Sequence, residues 1–408
     1  MDLRKVTYRM YPNTIQTERL TELLGLHQRV YNTALEERIA EYQQTGKSLN
    51  FVTQCKSITI WRQQSPALNG VNAQSLQVTL KRLHLAYQAF FRRVKAGETA
   101  GFPRFKPIHR FTGWGYKTHG DGWRLHAGDN LKHGHVRLSS VGMVRLRGKA
   151  RTQGTPKTAE VQHKNGLWYL SVTLECTPER KGGALAMGID WGVETFATCV
   201  DTEGKTLLVE NPRFLDKPQR QKLKILQQAV SRKSNKRSNN RRKAIKLLST
   251  ESRKIANRRK DFLHKTSANL VAKYALIATE KLTVKNMTKA GRSVKKELNR
   301  SILDTAPSTF LKLLKTKAEE AGSMWIEVPT RKVKPSQTCH RCGVQRKKLL
   351  SERKHVCECG ASCSRDENAA KVMLNWALTG NGQELSKVMS REFSVLTYET
   401  LSIAASAV

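Results

Sequence analysis

Apolar and polar positions alternate at the start of the chain and then take up a helical spacing. Residues 3–11 alternate with a period of two, which predicts a β-strand, and the Pro12-Asn13 pair ends it. From residue 14 to about residue 95 the apolar residues recur every three or four positions. The clearest series is Leu76, Leu80, Leu83 and Tyr87. The chain is therefore predicted to open with a strand and to continue as a long helical segment.

A β pattern returns after residue 95. Short alternating runs are separated by turn signals, of which Asn165-Gly166 is the strongest, because both residue types tolerate the positive φ of a two-residue hairpin. We predict that residues 1–12 and 96–182 form one small barrel-like β domain. The helices of residues 13–95 would be inserted into it.

The second half of the chain combines strands with basic helices. Residues 187–210 predict three strands joined by tight turns, and apolar runs predict two more strands at residues 273–282 and 323–329. Residues 217–264 form a helical stretch with narrow apolar seams and many Lys and Arg. A solvated helical hairpin would explain this stretch, but its charge favours contact with nucleic acid. The order of three strands, helix, strand, helix, strand is that of an RNase H-type fold.

Charge and composition narrow the classes of partner. Among 408 residues, 73 are Lys or Arg and 33 are Asp or Glu, which gives a formal net charge of +40. Such a chain repels itself, so we expect its partner to be a polyanion. No apolar run approaches the ~18 to 20 residues of a membrane-spanning helix, and the start lacks a secretory signal. The three scattered cysteines are expected to be reduced thiols in the cytoplasm or nucleoid: Cys55, Cys176 and Cys199.

Three acidic residues are out of place in their surroundings. Asp190 interrupts an apolar strand, Glu280 ends another, and Asp366 begins a helical run with an apolar face. A buried carboxylate without a partner costs several kcal/mol, so a cation should lie beside them. A Lys or Arg is the simple candidate. Two Mg²⁺ ions ~3.5 to 4 Å apart are the other, and such a pair cleaves phosphodiesters. The neighbouring Glu367 is explained by the helix dipole and ranks behind Asp366.

Five of the eight cysteines lie within residues 339–363. Cys339 and Cys342 form a Cys-x-x-Cys pair, and fourteen residues separate them from Cys357 and Cys359, which completes a four-thiolate set for structural Zn²⁺. Cys363 competes with Cys359 for the fourth position. We favour Cys359, because Gly360 follows it where a tight turn needs positive φ. His340 and His355 are expected to face solvent or nucleic acid.

These stretches together resemble the TnpB family, the RNA-guided nucleases of bacterial and archaeal insertion sequences and relatives of the type V CRISPR effectors. The similar stretches are YRMYPNTIQ, GFPRFK, GIDWGVETFA, RRKDFLHKTSANLVAKYALIATEKL, PSQTCHRCG, and CECG with RDENAA. They span residues 8–370 and occur in the family's order. Ser364 departs from the pattern, because many relatives carry an acid there.

The resemblance implies an α+β multidomain fold. It implies a wedge (OB-like) β-barrel of residues 1–12 and 96–182 with a helical recognition insertion of residues 13–95. An RNase H-like RuvC nuclease domain would follow in residues 183–330 and 364–380. A zinc ribbon would occupy residues 331–363. The tail from residue 381 to residue 408 carries no motif and is expected to be disordered.

The resemblance also implies an activity. TnpB proteins use a guide RNA from the transposon end to cut double-stranded DNA beside a short motif, so a catalytic triad of Asp190, Glu280 and Asp366 holding Mg²⁺ is implied here, in a protein expected to be a monomer. A nuclease-inactive RNA-guided repressor and a DDE-type transposase are the alternatives. Side chains at helical spacing are candidates for contacts to the adjacent motif, although ordinary surface polarity explains them equally well: Gln74, Gln77 and Lys81.

Overall fold

The computed structural model describes residues 2–128, 131–150, 153–177, 180–235, 238–289, 293–349 and 351–379, without the side chains of Ser293 and Val294. The chain divides into two compact units, Met1–Pro178 and Glu179–Val408. The tail predicted to be disordered, residues 381–408, lies outside the described residues.

The described part of the first unit contains seven strands and four α-helices. The helices are α1 (Thr14–Thr45), α2 (Phe51–Gln64), α3 (Pro66–Asn69) and α4 (Ala73–Lys95). The strands are β1 (Asp2–Tyr11), β2 (Gly113–Tyr116), β3 (Trp123–His126), β4 (Lys132–Leu138), β5 (Gly142–Lys149), β6 (Thr155–Lys164) and β7 (Leu167–Cys176).

The seven strands form one antiparallel sheet in the order β2-β6-β7-β1-β5-β4-β3. The first strand lies at the centre, where Val6 pairs with Val172 and Met10 pairs with Leu146. Within the described residues the edge strands β2 and β3 do not pair with each other, so the sheet is a half-barrel. The hairpin at Asn165-Gly166 forms as predicted, with φ of 53° and 72°.

The helices of the first unit pack on its sheet. Tyr8 and Trp114 from the strands and Leu20 and Leu80 from the helices belong to one buried cluster. His27 of α1 stacks on Trp114 with ring centroids 5.3 Å apart. The division of this unit into a wedge domain and a helical insertion therefore stays a prediction, since sheet and helices bury one continuous core.

Strands β2 and β3 were not anticipated from the sequence. Each is four residues long, and β2 is buried at every position. A strand buried on both faces shows no alternation, and four residues are too few to establish a period. Pairing with β6 and β4 creates these strands.

Within its described residues the second unit contains seven strands and seven α-helices. The strands are β8 (Leu185–Trp191), β9 (Thr195–Asp201), β10 (Thr206–Glu210), β11 (Tyr274–Glu280), β12 (Met324–Val328), β13 (Lys354–Val356) and β14 (Ser362–Ser364). The helices are α5 (Lys217–Ser231), α6 (Asn239–Val271), α7 (Val284–Met287), α8 (Ser293–Thr305), α9 (Pro307–Glu320), α10 (Thr330–Val333) and α11 (Arg365–Thr379).

Five strands of the second unit form a mixed sheet in the order β10-β9-β8-β11-β12. Strands β8, β11 and β12 are parallel, and β9 and β10 are antiparallel additions. One face packs against α6 and α9 through residues such as Met187 and Phe310. The other face packs against α11 through residues such as Ala186 and Met373. The element order is the one predicted.

Helices α8 and α9 meet just before Pro307, since α8 ends at Thr305 and Pro307 occupies the first turn of α9. Ala306 between them has a positive φ of 50°. Proline is favourable at this position since the first helical N–H groups have no intrahelical acceptor.

No helix in the described part of the chain is both long and apolar enough to cross a membrane.

The packing of α11 on β8 leaves no room for a side chain at Gly188. A Cβ there would lie 2.0 Å from the carbonyl oxygen of Ala370 and 2.9 Å from the amide nitrogen of Leu374. We predict that Gly188→Ala destabilises the second unit by roughly 2–3 kcal/mol, because the helix must move away. Denaturant unfolding measures the change. Gly101→Ala is the control, since its Cβ meets nothing within 4 Å, and an equal effect of both variants would contradict the prediction.

Candidate active site and metal centre

Asp190 and Glu280 lie on the same face of the mixed sheet because side chains alternate along a strand. In β8 the even-numbered residue Ala186 packs toward α11, whereas Met187 packs toward α6 and α9. In β11 the even-numbered Ala278 also packs toward α11. The parallel register pairs Ile189 with Thr279, so the two acids follow side by side at the carboxyl ends of neighbouring strands.

Asp366 reaches the same place from α11. The helix begins at Arg365, and the Ser364 hydroxyl accepts a hydrogen bond of 3.1 Å from the backbone N–H of Glu367. Asp366 is thereby held in the first helical turn above the sheet. All three acids are half-buried. The structure thus brings together the three carboxylates that the sequence selected.

The three carboxylates act on one another electrostatically. Burial, together with the negative charges of Glu280 and Asp366, raises the pKa of Asp190 well above its ordinary value. Burial also raises the pKa of Glu280. Like charges in a half-buried site resist simultaneous ionisation, so this arrangement favours either retained protons or an added cation.

The positive charge of Arg365 lowers the pKa of Asp190. Burial and the two neighbouring acids raise this pKa by more, so the net shift is upward. Within the described residues, no Lys or Arg forms an ion pair with any of the three acids. The simple explanation of an ordinary salt bridge is therefore not supported. Carboxylate oxygens are ligands that Mg²⁺ prefers, so the three acids could hold such an ion. The three do not all lie within 4.8 Å of one another, a looser grouping than the cysteines described next.

Glu367 has a different environment from Asp366. Its carboxylate accepts from Lys371 at 2.8 Å, one helical turn further along α11. This ion pair neutralises the charge of the Glu367 carboxylate. The rank of Glu367 behind Asp366 stays a prediction.

The sulfur atoms of Cys339, Cys342, Cys357 and Cys359 all lie within 4.8 Å of one another. The Sγ atoms of Cys339 and Cys359 are 3.7 Å apart, and those of Cys342 and Cys357 are 3.5 Å apart. This set can hold a metal ion. Cys363 lies outside it, on β14 opposite His355.

Two tight turns build the cysteine cluster. Gly343 follows Cys342 with a φ of 74°, and Gly360 follows Cys359 with a φ of 84°. The N–H of Gly343 donates to Cys339 O, and the N–H of Gly360 donates to Cys357 O. Positive φ is the reason for glycine at both positions, as the sequence indicated for Gly360.

The surroundings of Cys339 favour its thiolate form. Burial alone would raise its pKa, but backbone N–H groups of Cys342 and Arg341 and the side chain of His355 lower the pKa of Cys339 to about 5. The thiolate is the form that binds metal.

The expectation that His355 faces solvent is wrong. His355 is 3 % exposed and forms a short hydrogen bond with Lys348, which is itself buried. Its ring lies with Cys339 and His340 in a second group of close ligand atoms. The ring lies against Lys348, Cys339 and His340, and these contacts are not visible in a local sequence pattern. His340 is half-buried against Asn368.

The remaining predicted contacts lie on helices. Gln74 and Gln77 of α4 are half-buried, and Lys81 is exposed with its ammonium 5.0 Å from the centre of the Phe51 ring. In the second unit, α5 and α6 pack together, and Glu251 at their seam pairs with Lys222.

Asn368 was not among the candidate residues selected from the sequence. It is fully buried in α11, beside the apolar residues Ala369 and Val372. A polar residue within the apolar face of a predicted helix was the available signal. Its role depends on contacts with the cysteine segment, which only the tertiary structure provides.

Three family models match the chain. A model described as "Probable transposase" matches residues 168–291, and one described as "Cas12f1-like, TNB domain" matches residues 308–373. A model described as "Helix-turn-helix domain" matches residues 1–47. In this structure the last segment forms strand β1 and the single helix α1 rather than two helices joined by a turn.

Two curated relatives match over nearly the whole chain. A protein of Streptomyces pristinaespiralis named "Putative RNA-guided DNA endonuclease" is 30% identical over 379 residues, which is 91% of this chain and 88% of the relative. A protein of Escherichia coli (strain K12) named "Putative RNA-guided DNA endonuclease InsQ" is 30% identical over 397 residues, which is 91% of this chain and 92% of the relative.

A solved structure shares the fold. The chain titled "Cryo-EM structure of the Cas12f1-sgRNA-target DNA complex" superposes with a TM-score of 0.57 at 14% identity. The match covers 88% of this chain and 82% of the other.

Asp190 offers a test of the electrostatics. A carboxyl whose pKa is raised in the folded state destabilises the fold increasingly as pH rises from its ordinary value, ~3.9, through the raised one. We therefore expect Asp190→Asn to unfold at a higher temperature than the parent at neutral pH in Mg²⁺-free buffer. The difference should shrink toward pH 4. Thermal unfolding at several pH values measures it, and coincident pH profiles of the two proteins would refute the expectation.

The fourth ligand of the cysteine cluster can be assigned by metal content. We expect Cys363→Ser to retain one Zn²⁺ per chain after purification and dialysis, because its sulfur lies outside the cluster. Cys359→Ser should lose most of its Zn²⁺, since three thiolates bind far more weakly than four. Elemental analysis by mass spectrometry gives the ratio of zinc to protein. Loss of zinc from Cys363→Ser with retention in Cys359→Ser would reverse the assignment.

Proposed function

The chain belongs to the TnpB family of insertion-sequence proteins, and from this premise we propose that it is an RNA-guided DNA endonuclease. A guide RNA from the transposon end would select double-stranded DNA by base pairing, next to a short adjacent motif. The second unit would be its RuvC nuclease domain, of RNase H-like fold.

The convergence of Asp190, Glu280 and Asp366 carries this proposal. They come from β8, β11 and α11, three segments far apart in sequence, and share a half-buried site without a Lys or Arg ion pair among the described residues. Electrostatic strain of this kind is characteristic of functional sites. The fold would hold the strain through the packing of α11 on the sheet.

The three carboxylates would hold Mg²⁺. When bound, two such ions activate a water molecule and stabilise the leaving oxygen of a phosphodiester. The acids themselves would provide the negative charge that retains the ions and would fix their positions at the sheet edge. Glu367 would take no part, since Lys371 already neutralises it.

The cysteine cluster would be a structural Zn²⁺ site. Four thiolates form a closed tetrahedral set with no open coordination position, so the ion would stabilise the ribbon of residues 331–363 rather than react. Cys359 is the proposed fourth ligand, because its sulfur lies 3.7 Å from that of Cys339.

The charge of +40 supports the nucleic-acid partners. Guide RNA and target DNA are both polyanions, and Lys and Arg release counterions when they neutralise phosphates. We place the wedge and the helical recognition insertion in the first unit. Gln74, Gln77 and Lys81 of α4 are the proposed contacts to the adjacent DNA motif, and the working unit is proposed to be a monomer.

A co-expression experiment tests this function. The chain is produced together with the DNA that flanks its gene, and the purified ribonucleoprotein receives Mg²⁺ and a plasmid library that carries a guide-matched target beside randomised bases. We expect guide-dependent linear product confined to a few flanking sequences. Asp190→Ala should abolish the product while binding of RNA and target persists.

Glu367→Gln is the matched control, because it removes a carboxylate next to Asp366 that is already paired. It should cut at a rate close to that of the parent. Target binding by the parent without cutting would indicate an RNA-guided repressor instead. Absence of bound RNA would refute the guided class and favour a transposase that acts by strand transfer.

A further inference from the structure

Asn368 lies two residues after Asp366 on α11 and is 0 % exposed. A buried amide needs hydrogen-bond partners for both its donors and its acceptor. All the partners of Asn368 lie in residues 335–340, the segment that supplies Cys339. The side chain therefore joins the active-site helix to the cysteine cluster.

The amide spans Cys339. Its Nδ2 donates to the carbonyl oxygen of Thr338 at 2.7 Å and to that of Pro335 at 3.4 Å. Its Oδ1 accepts from the backbone N–H of His340 at 3.1 Å and lies 3.0 Å from His340 Nδ1. The peptide groups on both sides of a cluster ligand are thus fixed by one side chain.

A second asparagine repeats the contact further along the helix. Asn375 is seven residues after Asn368, which places it on the same face of α11 two turns away. Its Nδ2 donates to the carbonyl oxygen of His340 at 2.9 Å. The cysteine segment therefore lies along one face of α11 and binds at two points.

The opposite side of α11 is fixed by the sheet. Ala370 is fully buried, and its carbonyl group lies against Gly188 of β8. The helix is held between β8 and the cysteine segment. Its first turn, which carries Asp366, lacks intrahelical acceptors for its N–H groups, so its order depends on the Ser364 hydroxyl and on neighbouring contacts.

We propose that Asn368 is a positioning residue that couples metal binding at the cysteine cluster to the placement of Asp366. A bound metal would fix the position of Cys339. Through its hydrogen bonds to the backbone on both sides of Cys339, the Asn368 amide would then hold the first turn of α11 in place. This inference rests on the proposed function only in assigning a divalent-cation site to Asp190, Glu280 and Asp366.

A double-mutant cycle separates coupling from ordinary stabilisation. Mn²⁺ is titrated into purified ribonucleoprotein and the free ion is measured by electron paramagnetic resonance, with Asp190→Ala as the blank for binding to RNA. Asn368→Ala and Cys359→Ser should each weaken Mn²⁺ binding at the carboxylate site by roughly 5- to 150-fold, the usual range of coupling between two sites. The double variant should bind Mn²⁺ no more weakly than Asn368→Ala, because the hydrogen bonds that link the two metal sites are already lost in the single variant.

Asn299→Ala is the matched control. The Asn299 amide also bridges two loop carbonyl oxygens of the second unit, those of Thr288 and Lys289 at 3.2 Å, and none of its hydrogen bonds within the described residues reaches α11. Its removal should leave the Mn²⁺ affinity unchanged and should add nothing to the effect of Cys359→Ser.

Asn368→Ser adds no charge and keeps a hydroxyl that can form only part of the hydrogen bonds to residues 335–340, so it serves if Asn368→Ala does not fold. It should weaken Mn²⁺ binding by a smaller factor. Additive effects of Asn368→Ala and Cys359→Ser, or parental Mn²⁺ affinity in both Asn368 variants, would overturn the proposal. Because Mn²⁺ binding is measured without cleavage, a parent that binds Mn²⁺ but does not cut would refute the proposed function alone.

Discussion

The close approach of α11 to β8 is the constraint on which the second unit depends. The helix backbone at Ala370 fills the space that any side chain at Gly188 would need. Small residues on the helix, Ala369 and Ala370, are buried at the same contact. This short distance places the first turn of α11 directly above the strand ends where Asp190 and Glu280 lie. The packing of small and apolar residues therefore determines the position of the three carboxylates.

The carboxylate site is costly to the fold and is maintained by its surroundings. Burial and mutual repulsion raise the pKa of Asp190, which means that the folded protein disfavours the ionised site when no cation is bound. The free energy that offsets this penalty comes from the core on both faces of the sheet, where Met187, Phe196 and Phe310 pack on one side and Met373 on the other. A site of this kind gains stability from the cation it binds.

The cysteine segment contacts α11 on the side that faces away from the sheet. It lies between β12 and α11 in sequence, and it contacts α11 through Asn368 and Asn375. Helix α11 therefore has a polar contact face toward the cysteines and an apolar face toward the sheet. The two proposed metal sites are adjacent because a single helix contributes to both environments: its first turn to the carboxylates and its buried asparagine to the backbone around Cys339.

The sequence by itself indicated the order of the longer helices and strands, and it selected the three acids and the four cysteines as candidate metal ligands. Alternation and helical spacing are local properties, and carboxylates in apolar strands or cysteines in pairs are visible without a fold. The tertiary structure decided what depends on long-range pairing: the central position of β1, the short strands β2 and β3, the burial of His355 and the contacts of Asn368. These arise from residues tens to hundreds of positions apart, such as Val6 with Val172 and Asn368 with Thr338, because hydrogen bonds and close packing join segments that share no local pattern.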